Sequence, residues 1–387
     1  MPKKLFISIS LLIVLGVLGF FLFKSYFTFE PEIKTEKIAF KELPGWQKDN
    51  IKEALPALQN NCAALEKLPA EYKLATDYID FGTPADWQAF CNKIKDFKGE
   101  NKDLYRLLAE ETVPYKLITK DKKKGVFTGY YEAELKGSNE KTEKYNVPVY
   151  GRPYDMVQID LRDFGIEADK PKFFAMVKDG KVVPYVSRKE FEKAPNAPVL
   201  VWVDSVVDLF IMQIQGSGRV QTENGEHIKI GYAANNEHPF VGIGSLMMKN
   251  GLLEKGKSSM PEIKDWLLKN PEKARELMAE NPRYIFFKIN ESEGPFGALG
   301  VPLTPKRSLA VDTNYIALGV PLWLDTVDAD GNKIQQLMTA QDIGKAIKGK
   351  IRGDFFWGFG EEAFLQAGRM KSAGEYFVLL PKAKAED

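Results

Sequence analysis

Histidine and cysteine are almost missing from this chain of 387 residues, with two of each. His227 and His238 cannot populate a multi-histidine metal centre, and a thiol nucleophile would depend on one of them as its base. Net charge is missing too. Lys and Arg total 54 against 53 Asp and Glu, so no global field favours nucleic acid as a partner. Glycine at 31 and proline at 22 exclude a collagen-like chain, and no repeat or low-complexity stretch occurs. No metal or cofactor is expected. What remains is an ordinary folded composition, 44% hydrophobic and 28% charged, sized for two domains or one elaborated domain. Carboxylates and hydroxyls are left to carry any chemistry.

One long apolar run is present. Lys3 and Lys4 precede an uncharged stretch from Leu5 to Phe23, closed by Lys24. As a helix at about 1.5 Å per residue, it spans roughly 29 Å, the thickness of a bilayer core. It is longer than the apolar core of a typical signal peptide, and neither a small-residue cleavage site nor a cysteine for lipid follows it. We read residues 1–26 as an uncleaved signal anchor with the lysines in the cytoplasm, residues 27–44 as a polar tether, and the remainder as exported. A cleaved peptide with a poor site is the alternative. The exported compartment permits a disulfide. Cys62 lies on an apolar face with Leu55, Leu58 and Leu65, and Cys91 on one with Trp87, Phe90 and Ile94, so the two either bridge or stay as separate buried thiols.

Residues 46–118 read as mostly helical, with Pro56 kinking or restarting the first helix and Thr83-Pro84 opening a second. Beyond Asp121-Lys-Lys-Lys124 the pattern turns to strands. Gly125–Tyr131, Val199–Val203 and Leu209–Gln215 come first, then a helical interval over about 241–280. Arg283–Ile289, Ser308–Asp312, Gln335–Ala340 and Tyr376–Leu380 follow. This order predicts an α+β protein, mainly β, with a barrel and an insertion.

Asp342 follows an apolar strand and leads into Ile-Gly344, where the chain can turn and present a carboxylate. Asp312 and Asp354 stand at similar positions. A lone aspartate at a strand end is more often a turn cap; three in one segment weaken that reading. Around them the motifs Phe127-Thr-Gly-Tyr-Tyr131, Gln213-Ile-Gln-Gly-Ser-Gly218, Gly231-Tyr-Ala-Ala-Asn-Asn236, Asn281-Pro-Arg-Tyr-Ile-Phe-Phe287, Pro302–Asp312 and Asp342–Gly349 occur in order. Together they resemble the membrane-bound lytic murein transglycosylase A family with its carboxy-terminal three-aspartate (3D) domain, from about Leu43 to Pro381.

The resemblance implies a double-psi β-barrel over 45–135 and 240–387, a second β-domain inserted over 136–239, and a glycan groove between them. It implies cleavage of the β-1,4 bond from N-acetylmuramic acid to N-acetylglucosamine in peptidoglycan glycan strands, leaving 1,6-anhydro ends. By motif, Asp342 takes the catalytic place, with Asp312 and Asp354 supporting. Thr128, Tyr130, Gln215, Gly216, Ser217, Tyr232 and Lys348 are the candidate substrate-binding residues. Glycoside hydrolysis usually uses two carboxylates. When the sugar's own C6 hydroxyl attacks, one suffices, as acid and then as base. Lys345, Lys348 and Arg352 are expected to point away from Asp342, so that burial can raise its pKa. Members of that family carry a lipidated cysteine where this chain has Leu5–Phe23, which points to the inner membrane with the working part in the periplasm. A non-catalytic glycan-binding module is the main rival. An aspartic protease fits poorly, because Asp312-Thr-Asn and Asp342-Ile-Gly lack its paired motif.

Overall fold

The computed structural model describes residues 33–385 except 122, 169, 255–257 and 291–294. The signal anchor expected over 1–26 lies outside the described residues. Among those described, no helix is long and apolar enough to cross a membrane. The chain folds as a sheet-rich α+β protein.

The helical segment forms as its sequence dictates. Pro56 sits in the first turn of helix Leu55–Leu65, where its missing N–H costs nothing, and a short 3-10 turn, Ile51–Ala54, precedes it. In the helix Pro84–Lys95 the Thr83 hydroxyl accepts from the Asp86 amide, while the Asp86 carboxylate accepts from the Thr83 amide. A disulfide joins these two helices through Cys62 and Cys91. A third helix, Asn101–Glu111, packs its apolar face on the same core.

Strand β1 is Ile33–Lys37, β2 Thr112–Thr119, β3 Gly125–Ser138 and β4 Val147–Tyr150. Strands β5 (Met156–Asp160), β6 (Lys172–Lys178) and β7 (Lys181–Pro184) form a small sheet of their own. Next come β8 (Val199–Val203), β9 (Gly218–Thr222), β10 (His227–Asn235) and β11 (Ile285–Ile289). Last are β12 (Ser308–Val311), β13 (Pro321–Val327), β14 (Lys333–Asp342), β15 (Arg352–Phe359) and β16 (Lys371–Pro381). Part of the segment read as a tether, Ile33–Lys37, is β1, which pairs with β2 and buries Ile33.

Six strands close on themselves in the order β16, β13, β14, β12, β15, β3 and back to β16. The closure is mixed: β12 runs parallel to β14, and β15 parallel to β3. Closing removes the exposed edges that an open sheet would leave. Trp323, Phe127, Phe355 and Tyr376 are buried, each worth about 2–3 kcal/mol in area removed from water. Strand β3 is long enough to serve two regions. Residues to Glu132 pair with β15 or β16, and from Ala133 onward β3 pairs with β9 and β8. Strand β11 pairs with β10 and widens that second region.

Leu209–Gln215, read as a strand, lies in helix Val206–Gln215. A continuous apolar run carries no period, and here the ends decide. The Ser205 hydroxyl accepts from the Asp208 amide at the start, and Gly216 takes a left-handed φ of 86° at the stop.

Candidate active site

Four neighbouring strands place one residue each in a row: Asp342 on β14, Ala310 on β12, Asp354 on β15 and Thr128 on β3. At about 4.8 Å per strand, the backbones carrying the two aspartates are about 10 Å apart, with small Ala310 leaving space between them. The row opens into a cavity of about 290 Å³ that Tyr130, Ala310, Asp342, Asp354 and Phe356 line.

Asp342 is held from both sides. Just before it, the buried Gln341 donates to the Ala57 carbonyl and to Asn61 Oδ1 on the first helix, and accepts from the Ser308 hydroxyl. Asp342 Oδ1 accepts from the Ala298 amide at 3.0 Å and the Ile343 amide at 2.9 Å. The Ala298 loop comes this near because of Gly297: a Cβ there would stand 2.3 Å from the Gln341 carbonyl oxygen.

Burial pushes the Asp342 carboxyl above the usual carboxylate range, opposed by the two amides and by the Tyr130 hydroxyl. No cation is among these influences. The Tyr130 oxygen is buried without a hydrogen bond of normal geometry, and burial and both aspartates raise its pKa far above the phenol range. Asp354 is also pushed up by burial and by Asp342, while the Thr128 hydroxyl and Arg352 pull it down. Thr128 donates to Asp354 and accepts from Arg352 at 2.8 Å. Thr128 is thus spoken for by its neighbours.

Asp312 sits elsewhere. It is buried at the end of β12, where it accepts from the Gly349 amide at 2.9 Å, the Asn314 amide at 3.2 Å and Lys348 Nζ at 3.3 Å. Burial would raise this carboxyl, but the amides and Lys348 outweigh it and leave the pKa low. Asp312 and Lys348 therefore pin the far end of the loop that starts at Asp342.

The cavity continues into a groove. Gln215 and Ser217 line both it and a neighbouring cavity of about 620 Å³. Gly216 and Tyr232 line that one and a third of about 820 Å³. Tyr232 is exposed, and its hydroxyl accepts from the Asn235 amide nitrogen at 2.6 Å. Sequence reasoning missed Glu132, which lines the first two cavities, pairs with Arg219 and is pushed up by its burial. Nothing in its sequence setting marks it; its position where β3 leaves the barrel emerges only in the fold. Among the described residues no cluster of His, Cys, Asp and Glu could hold a metal ion.

Residues 126–288 match the MltA specific insert domain, and residues 307–380 match the 3D domain. A membrane-bound lytic murein transglycosylase A from Vibrio cholerae is 30% identical over 262 residues, 66% of this chain and 65% of that protein. The chain thus matches about two thirds of the length of its curated relatives. MltA from Neisseria gonorrhoeae is 32% identical with a TM-score of 0.79, covering 91% of this chain and 94% of that one. The lytic transglycosylase LtgG of Burkholderia pseudomallei is 33% identical with a TM-score of 0.64, covering 91% and 96%. With both characteristic domains matched in order and a solved relative aligned along nearly its whole length, the chain belongs to the membrane-bound lytic murein transglycosylase A family.

Proposed function

We propose that this protein is a peptidoglycan lytic transglycosylase in which Asp342 is the single catalytic carboxyl. The observation that carries the reading is the state of that group. It is held by two backbone amides, faces a cavity that continues into a groove, and has a proton affinity raised by burial. A carboxyl that keeps its proton above the ordinary range can donate it to the glycosidic oxygen as the bond to C1 breaks. The resulting carboxylate then takes the proton of the C6 hydroxyl as that oxygen closes on C1, giving the 1,6-anhydro end and restoring the acid. No external water enters, so no second carboxylate is needed to activate one.

Asp354 then acts as support, steering Thr128 and Arg352, and Asp312 with Lys348 fixes the loop. The groove past Gln215, Ser217 and Tyr232 takes the glycan strand. We further propose that the six-strand barrel is of the double-psi type, built from residues 45–135 and 240–387 around an insert at 136–239. In the same reading, Leu5–Phe23 anchors the protein in the inner membrane with the barrel in the periplasm. The names of the solved and curated relatives support the reaction class.

Digestion of purified sacculi, with the masses of released muropeptides measured, tests the reading. Anhydro-muramoyl products are expected. Reducing ends would replace it with a hydrolase in which Asp354 serves as the second carboxylate, and intact glycan would leave a binding module.

A further inference from the structure

The chain as a whole is electrically balanced, but the groove beyond the Asp342 cavity is not. The walls of its two larger cavities carry Lys170, Arg188, Lys229, Arg283, Lys288 and Lys345, against the carboxylates Glu132 and Glu237. Both carboxylates are already engaged, Glu132 with Arg219 and Glu237 with Lys170. Arg283, Lys288 and Lys345 form no ion pair with another described residue. On the floor the buried Arg188 donates to the Asn281 and Arg283 carbonyls, lies over Phe210 and Tyr284 and pairs with the half-exposed Glu192, so the unpaired charge is that of Arg283, Lys288 and Lys345. Gln213 lines the same cavity, with its Oε1 buried and unpartnered among the described residues, an acceptor that a peptide N–H could use after a small side-chain shift.

While its lactyl carboxyls are tied up as amides to the stems, the glycan backbone is uncharged and gives no reason for a groove of one sign. A glycan strand carrying peptide stems is an array of carboxylates. We propose that the larger two cavities form a carboxylate-binding subsite for the acidic peptide substituents of the strand, with Lys345 and Lys288 among its recognition residues. The protein is then selective for strands that still bear their peptides over strands that have been stripped of them. This rests on the glycan-strand reading of the site and adds to it which chemical form of strand is preferred.

The test compares two preparations of the same strands, one with stems intact and one stripped by an amidase, using the full-length protein. Stripping leaves a single lactyl carboxylate per muramic residue in place of the several carboxylates of a stem. The expected result is a higher kcat/KM on stem-bearing strands, a preference that shrinks as salt rises from 50 to 300 mM. Lys345→Ala and Lys288→Ala, both at exposed positions, each lower the stem-bearing to stripped ratio by about two- to fivefold, with the loss in KM. Lys345→Arg restores the ratio. Equal kcat/KM on the two preparations, or a ratio that neither lysine nor salt changes, overturns the subsite. A wild-type protein that cuts neither preparation refutes the reaction class instead. Fluorescence anisotropy with labelled strands then decides the subsite, since stem-bearing strands that bind no tighter than stripped ones overturn it.

Discussion

Replacing Asp342 by Asn should abolish catalysis and at the same time stabilise the fold at neutral pH. Burial holds the Asp342 pKa above the usual carboxylate value even though two amides and Tyr130 favour the charged form. A carboxyl raised on folding contributes stability that is fully present below its unfolded pKa of about 3.9. That contribution is lost as pH rises through the folded value. At pH 7 the wild-type protein therefore bears the cost of an ionised, half-buried group, about 1.4 kcal/mol for each tenfold gain in proton affinity. The Asn Oδ1 can keep the Ala298 and Ile343 amide bonds, so the substitution removes charge without orphaning a donor. For a chain of this size, about 1 kcal/mol corresponds to a Tm increase of roughly 1–2 °C, visible by calorimetry at pH 7 and absent at pH 3. Activity should fall by about 10³–10⁴, the upper part of the range for losing a general acid, because in the proposed mechanism the same group serves both proton transfers. Anhydro-muropeptide release within tenfold of wild type would refute the assignment of Asp342. A lower Tm at pH 7 would refute the burial argument.

Tyr130→Phe removes a buried hydroxyl that lowers the Asp342 pKa, so the alkaline limb of the pH–rate profile should move to higher pH. Stability should change by less than about 1 kcal/mol, because the hydroxyl has no well-formed bond to lose. Asp312→Asn should cost about 1–3 kcal/mol at pH 7, since the amide group cannot accept from Gly349, Asn314 and Lys348 together. The Asp312 pKa is depressed, so wild-type stability from this group is present above about pH 4 and fades as pH falls through the folded value. Urea melts at pH 7 and pH 3 should show the gap between the two proteins closing in acid. Replacing Cys62 and Cys91 by Ala together opens a 29-residue loop, worth about 3.5 kcal/mol of chain entropy, read as a lower denaturation midpoint without reductant.

Much of the architecture was legible because its elements carry their own punctuation. Thr83-Pro84 with Asp86 spells a helix start, and the alternating Gly125–Tyr131 segment spells a strand. The segment Leu209–Gln215 did not, because seven consecutive residues with few polar breaks fit a buried strand and a buried helix equally. Only Ser205 and Gly216 distinguish them, and reading Gly216 as part of a ligand loop concealed its use as a helix stop. The site divides along similar lines. Asp342 and Asp354 stood out by position, but their placement two strands apart around Ala310 depends on a parallel pairing between β12 and β14 that sequence separation does not reveal. Thr128 was read as facing a ligand; that its hydroxyl links Asp354 to Arg352 depends on the parallel pairing of β3 with β15, which sequence separation does not reveal. Glu132 escaped notice because one buried glutamate in a strand has no pattern; its partner Arg219 is 87 residues away.

The closure of β16 onto β3 has a consequence for how the molecule is made. Gly125–Thr128 must wait for Lys371–Gly374 before that seam exists, so nearly 250 residues pass before the ring can shut. The segment in between holds β9 and β10, which pair with short separations and can settle early. A polypeptide interrupted short of its final strand already carries Asp342 and every residue that lines its cavity, but leaves β13 and β3 without the strand that joins them. The last strand is thus the ring's closing piece, and the seam it makes is the final long-range pairing the barrel needs.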